Sequence, residues 1–321
     1  MNQVFARIAD LGIVPVVKID DANNAVPLGK ALIDGGLPVA EITFRTAAAE
    51  EVINNLTSKL PELLVGAGTV LNVDQARRAI AAGAKFIVSP GFIPTVVEYC
   101  LQENISITPG CSNPTDLAMA VNYGLEVVKF FPADSIGGLP ALKAMSAPYN
   151  MLKFLPTGGV NAINLRDYLS FPKVIACGGS WMVKDEFIKN HDFAKITQLT
   201  SEAIQIMLGF DLAHVGINML DAENALVLTK TLAEAFNLPL KEGSSSHFVG
   251  TGIEVIKGNG AGKNGHIAIK TNNINRAIAF MERKGIAVDM STAKGPAEGP
   301  PVAVYLKKEY GGFAIHLLQN K

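Results

Sequence analysis

Cysteine is scarce in this 321-residue chain: Cys100, Cys111 and Cys177 are odd in number, far apart and in no CxxC pattern. That spacing excludes a disulfide framework and leaves buried free thiols in a reducing cytoplasm as the expectation. An excess of either charge is also missing. The formal net charge is −1, so no basic surplus exists to follow a phosphate backbone, and nucleic acid is not expected as a partner. No uninterrupted apolar stretch approaches the roughly 18 residues of a membrane span, so none is expected. The opening MNQVFARIADLGIVPVVKID has scattered charges and no long apolar segment, which does not read as a secretory signal. Neither a GxGxxG after a strand nor a Walker A motif occurs; Gly66-Ala-Gly68 lacks the rest of such a fingerprint. Nothing points to a nucleotide.

What is present is a large apolar content, 49% against 18% charged, enough for an extensive core. Residues 1–208 alternate short β-rich runs with helical patterns. Strands are expected at 13–19, 38–44, 63–69, 86–90, 105–109, 126–132, 151–157 and 174–179. Helical spacing fills 22–35, 47–60, 74–83, 94–103 and 114–123, with start signals at Thr46, Asn72, Pro94 and Asn113-Pro114. The strand runs are nearly continuous in apolar residues, which suits a parallel sheet buried on both faces. Eight strand–helix units predict an α/β fold, a (β/α)₈ TIM barrel, with a doubly wound open sheet as the alternative. Residues 209–321 follow a different order. A strand from His214, a helix at 221–236 and strands ending at 252–256 are repeated as a strand from Gly265, a helix at 273–284 and strands through 312–318. This predicts a smaller α+β domain of two modules with a period of roughly fifty residues. The Gly-rich stretch 257–265 links the copies, and 291–301 reads as a loop.

Lys129 lies inside the apolar and aromatic run Glu126-Val-Val-Lys-Phe-Phe-Pro132. Desolvation there favours a neutral amine, which attacks carbonyl carbon and forms Schiff bases. The plainer alternative is a strand-end lysine with its head in water. In a (β/α)₈ barrel the site lies at the C-terminal strand ends. Period-two alternation puts Glu41, Thr43 and Arg45 on one face, where a carboxylate can pass protons and an arginine can grip a carboxylate. Taken singly, Glu41 could be a surface acid and Thr69 a helix cap. Pro156-Thr-Gly-Gly159 and Gly178-Gly-Ser180 end the seventh and eighth expected strands, where barrels commonly bind phosphate on exposed backbone N–H groups. Either Gly-Gly pair could also merely close a tight turn. Together the set fits Schiff-base chemistry on a phosphorylated keto acid.

These stretches resemble one family. Gly35–Thr46, Val65–Asn72, Ile87–Gly91, Val128–Ala133, Pro156–Gly159 and Gly178–Trp181 are similar, in order, to 2-keto-3-deoxy-6-phosphogluconate (KDPG) and 4-hydroxy-2-oxoglutarate (KHG) aldolases. The resemblance implies a metal-free class I lyase with Lys129 as Schiff base and Glu41 as general acid/base. It implies that Arg45 and Thr69 hold the pyruvate carboxylate and that Pro90 and Phe131 wall the pyruvate end. Thr157 would meet sugar hydroxyls, and Gly158, Gly159, Gly179 and Ser180 would bind phosphate. A homotrimer in cytoplasmic carbon catabolism is also implied. A phosphometabolite-binding or isomerase barrel without imine chemistry is the competing expectation. The second domain resembles the glyoxalase/bleomycin-resistance (vicinal oxygen chelate) superfamily. That resemblance implies a divalent-metal site at His214, Glu254, His266 and His316, with a degenerate structural module as the alternative.

Overall fold

In residues 1–207, β-branched and aromatic runs between the helical segments form short strands whose residues are almost all buried, as a sheet covered on both faces requires. A computed structural model describes residues 1–320. The chain separates into two units, Met1–Met207 and Leu208 onward. In the first unit the strands are β1 (Ile13–Val17), β2 (Val39–Thr43), β3 (Leu64–Gly68), β4 (Phe86–Val88), β5 (Ser106–Thr108), β6 (Gly110–Cys111), β7 (Val127–Phe130), β8 (Lys153–Pro156) and β9 (Cys177–Gly179). All their pairings are parallel. One sheet has the order β5-β4-β3-β2-β1-β9 and the other β6-β7-β8. Helices lie between successive strands except β5 and β6, which only Pro109 separates, giving an α/β unit with a parallel-strand half-barrel.

The single strand expected at 105–109 is interrupted because Pro109 has no N–H to give to a ladder. Its carbonyl still accepts from the Lys129 amide at 3.0 Å, so the chain stays beside β7 across the break. Helix starts follow the sequence at Asn72 and Asn113, whose side chains accept from Gln75 N and Asp116 N, and at Pro94, which opens its helix. Thr46 departs from expectation. The helix starts at Ala49, and the Thr46 hydroxyl instead donates to the Ile19 carbonyl at 2.7 Å. Glycines set the interior spacing. A Cβ on Gly66 would lie 2.3 Å from the Phe86 ring, and one on Gly68 would lie 2.0 Å from Glu41 Oε1.

The second unit is β-rich. Its strands are β10 (Asp211–Asn218), β11 (Leu240–Glu242), β12 (Ser246–Val249), β13 (Ile253–Ile256), β14 (Gly265–Thr271), β15 (Val288–Lys294), β16 (Ala303–Leu306) and β17 (Phe313–Gln319). They form one sheet in the order β11-β12-β13-β10-β14-β17-β16-β15. Each half has one topology: the first strand pairs in parallel with the last, β10 with β13 and β14 with β17, and the two first strands pair antiparallel. The expected loop at 291–301 is corrected in its first part. β15 runs through Ser291–Lys294, where Lys294 pairs with Ala303 after a register shift, so cross-strand pairing overrides the weak local pattern.

No helix among the described residues is long and apolar enough to cross a membrane. None of the three cysteines forms a disulfide among the described residues, and all three are buried. Burial pushes the Cys100 thiol up to about 12, and burial with a smaller contribution from Asp116 pushes Cys111 up as well. Thiolate is the reactive form. Iodoacetamide at pH 8 should therefore leave Cys100 and Cys111 unlabelled in the native chain and modify them in denaturant, as read by peptide mass spectrometry. Rapid native labelling of either would contradict this packing.

Candidate functional site

β2 and β7 present the central pair. Glu41 is 1% and Lys129 5% exposed, and Lys129 Nζ lies 3.5 Å from Glu41 Oε1. Neither Glu41 oxygen has a hydrogen-bond partner among the described residues, so the ammonium is the group that faces this carboxylate. Gly68 makes this possible, since any side chain there would occupy the space of the Glu41 carboxylate. The Lys129 ammonium also sits 4.9 Å from the centroid of the Phe131 ring. The strand-end lysine with its head in water does not describe this residue, and neither does a surface reading of Glu41.

Arg45 follows β2 and is exposed. Its Nε donates to Thr69 Oγ1 at 3.4 Å. Thr69 is not a helix cap, a role filled by Asn72. It adopts φ 57°, an uncommon conformation for a β-branched residue. A cleft is lined by Thr43, Arg45, Phe131, Thr157, Gly158, Gly159, Gly179 and Ser180, which brings most of the expected substrate residues together. Pro90, after β4, turns its carbonyl toward Gly110 and is not among the cleft-lining residues.

The two Gly-Gly turns need glycine for different reasons. Gly158 and Gly159 have φ of 93° and 87°, which L side chains rarely adopt. Gly179 must admit the Trp181 ring, which would lie 1.9 Å from a Cβ. The first turn is also anchored from behind. Asn161 Nδ2 and Asn164 Nδ2 donate to the Gly159 carbonyl at 3.0 and 3.1 Å, and Asp134 N donates to the Gly158 carbonyl at 3.0 Å. The Tyr168 hydroxyl holds Asp134 Oδ1 at 2.9 Å. Burial, then the hydrogen bond to Asp134, raises the Tyr168 hydroxyl, which keeps it a donor. With the carbonyls occupied on one side, the turn suits an anion on its N–H side.

Sequence reasoning missed Asp134, Asn161, Asn164 and Tyr168. It also missed Lys18 and Asp185, which line the same cleft. Lys18 was legible, because the alternation that selected Glu41 also places Val14, Val16 and Lys18 on one face.

In the second unit, β10, β13, β14 and β17 bring the four expected residues together. His214 Nε2 and His266 Nε2 are 3.0 Å apart, and Glu254 Oε2 lies 3.3 and 3.1 Å from them. One nitrogen from each of His214, His266 and His316 falls within 4.8 Å of the others. Ser246 Oγ donates to Glu254 Oε1 at 2.5 Å, and Tyr305 stacks on His316 at 4.8 Å between centroids. Hydrogen bonds from His214 and then His266 hold the Glu254 carboxyl well below its usual range. Burial first, then the neighbouring imidazoles His266 and His214, push His316 down to about 4. It is therefore neutral at pH 7, the state that offers a lone pair to a metal. Both His316 nitrogens and His266 Nδ1 are buried without a hydrogen-bond partner among the described residues. Unpartnered acceptors beside a carboxylate fit a divalent cation.

The aldolase family described as KDPG and KHG aldolase matches residues 4–199. The chain is 44% identical over 207 residues to a 2-dehydro-3-deoxy-phosphogluconate aldolase of Treponema pallidum, covering 64% of this chain and 99% of that one. It is 40% identical to a KHG/KDPG aldolase of Escherichia coli, covering 60% and 91%. A crystal structure of KDPG aldolase from Legionella pneumophila, with pyruvate captured as a covalent carbinolamine intermediate, is 39% identical. It covers 63% of this chain and 98% of its own, with a TM-score of 0.61.

Proposed function

The chain belongs to the KDPG and KHG aldolase family, and we propose that its first unit is a class I aldolase. It cleaves 2-keto-3-deoxy-6-phosphogluconate to pyruvate and glyceraldehyde 3-phosphate, and 4-hydroxy-2-oxoglutarate to pyruvate and glyoxylate. The observation that carries this reading is the buried Lys129–Glu41 pair, 3.5 Å apart, beside Phe131, whose ring lies 4.9 Å from Lys129 Nζ and lines the anion-suited cleft. We also read the parallel strands as a closed (β/α)₈ barrel. The bridge from Thr157, just past β8, to Gly178 in β9, and the continuity of β5 and β6 through Pro109, support that closure. The homotrimer and the cytoplasmic setting belong to the same proposal.

The residues suggest the order of events. Glu41 is the nearest carboxylate to take the proton that Lys129 sheds before attack. The free amine adds to the C2 ketone, and Glu41 returns the proton to the departing hydroxyl, leaving water and a protonated imine. Glu41, through a water, then accepts the C4 hydroxyl proton. The C3–C4 electrons flow into the imine, which releases the aldehyde and leaves an enamine. Reprotonation at C3 and hydrolysis free pyruvate and Lys129. Arg45 and Thr69 hold the keto-acid carboxylate, Pro90 and Phe131 wall the pyruvate end, and Thr157 meets the hydroxyls. Gly158, Gly159, Gly179 and Ser180 receive the phosphate, a remote group whose binding orients the reacting bond.

For the second unit we propose two glyoxalase-like βαβββ modules carrying a divalent cation on His214, Glu254, His266 and His316. The paired halves of the sheet and the unpartnered imidazole nitrogens support this. Three imidazoles and one carboxylate suit zinc, nickel, iron or manganese.

Two experiments follow. Incubation with pyruvate and borohydride should leave a reduced pyruvyl adduct on Lys129. Lys129→Met should abolish the adduct, and Glu41→Gln should lower kcat by about 10²–10⁴-fold with unchanged circular dichroism. An intact wild-type protein without an adduct would leave a binding or isomerase barrel instead. For the second unit, elemental analysis of the full chain after exposure to zinc, nickel or manganese should find about one tightly held ion. His266→Ala should remove it, and wild-type protein with no affinity for any of the three would sink the metal proposal.

A further inference from the structure

β1 runs between β2, which leads to Arg45, and β9, which leads to the Gly179–Ser180 turn. Its register sets Val16 beside Glu41 and Pro15 beside Gly179. Two residues beyond Val16 on the same face, Lys18 lines the cleft with Gly158, Gly159, Gly179 and Ser180. It is a cation placed beside anion-suited turns that otherwise offer only backbone N–H groups and one hydroxyl. Its ammonium is already held. Nζ lies 2.9 and 3.0 Å from the Asp20 oxygens and 3.1 Å from Asp185 Oδ2. Asp185 lines the same cleft, so a bare carboxylate there would oppose an incoming phosphate. Asp20 has a second cation in reserve, Lys189 Nζ at 3.7 Å.

We propose that Lys18 is the cationic clamp for the phosphate of the substrate, parked on Asp20 and Asp185 until the phosphate arrives. The inference rests on the aldolase reading of this cleft. On binding, the ammonium trades Asp20 for a phosphate oxygen, and Lys189 keeps Asp20 neutralised. Lys18 remains between Asp185 and the phosphate, so that a repulsive pair becomes a bridged one. A lysine suits this role because its point charge on a flexible stem can follow an anion, whereas backbone donors cannot move.

The alternative is a rim bridge that merely ties the end of β1 to Asp185, and the two roles separate by sign. Inorganic phosphate is titrated into the full chain and followed by ³¹P line broadening, a readout independent of catalysis. Lys18→Met should weaken phosphate binding at least about tenfold, Lys18→Arg should restore much of it, and Asp185→Asn, by removing the carboxylate that opposes the phosphate, should tighten it. In parallel, the pyruvate concentration that half-saturates borohydride trapping should move less than about twofold in Lys18→Met. Unchanged phosphate affinity in Lys18→Met, or weakening by Asp185→Asn equal to that by Lys18→Met, overturns the clamp. A matching shift in pyruvate saturation also overturns it and assigns Lys18 to the carboxylate end. Wild-type protein that binds phosphate through Lys18 but forms no pyruvate adduct rejects the aldolase reading while keeping the clamp.

Discussion

Lys129 and Glu41 face each other with almost no contact with solvent, and that burial constrains everything placed around them. Either charge alone in such a site would carry a desolvation penalty of several kcal/mol, and their mutual attraction offsets it only at close range. The strands beside them are therefore chosen for space as much as for hydrophobicity. Gly66 yields to the Phe86 ring of β4 and Gly68 yields to the Glu41 carboxylate, so the glycine at 68 sets where the acid stands. A packed valine at position 68 would suit a β-strand better by propensity and would displace Glu41. The local weakness of β3 follows from the space that Phe86 of β4 and Glu41 of β2 require.

The other end of the cleft rests on a different constraint, since an anion cradle made of backbone N–H groups must be held rigid by its own carbonyls. Asn161, Asn164 and the Asp134 amide occupy those carbonyls, and Tyr168 fixes Asp134 from a buried position. Fixed donors are effective because they need no reorganisation when charge arrives. In the proposed clamp Lys18 complements them as the mobile element: the rigid turn would set where a phosphate sits, and a lysine that exchanges partners would adjust the charge around it.

The second unit reverses this electrostatic pattern. The first unit gathers groups suited to anions, whereas His214, His266, His316 and Glu254 bring imidazole nitrogens and a carboxylate together, a set suited to a cation. Depression of the Glu254 carboxyl and of the His316 imidazole keeps those two groups in their unprotonated forms at neutral pH. Its four residues come from the first and last strands of the two halves of one sheet, so the paired topology creates the convergence.

The sequence alone determined which residues share a face. Period-two alternation grouped Glu41, Thr43 and Arg45, apolar flanks marked Lys129 as buried, and the paired Gly-Gly turns marked the proposed anion site. Family-like stretches supplied the roles, and the histidines at strand starts and ends flagged the second cluster. The same alternation held Lys18, which went unread because β1 carried no other chemical residue on that face. The break at Pro109 and the extension of β15 past Ser291 were less legible, because each depends on a neighbouring strand rather than on local pattern. Tertiary structure alone decided the meetings. It brought Lys18 to Asp185, 167 residues away, and Tyr168 to Asp134, and it turned Thr69 to a positive φ beside Arg45. Side-chain direction is a local property of the backbone and can be read from one strand. Distance across a sheet depends on register and curvature summed over every intervening strand, which no single segment encodes.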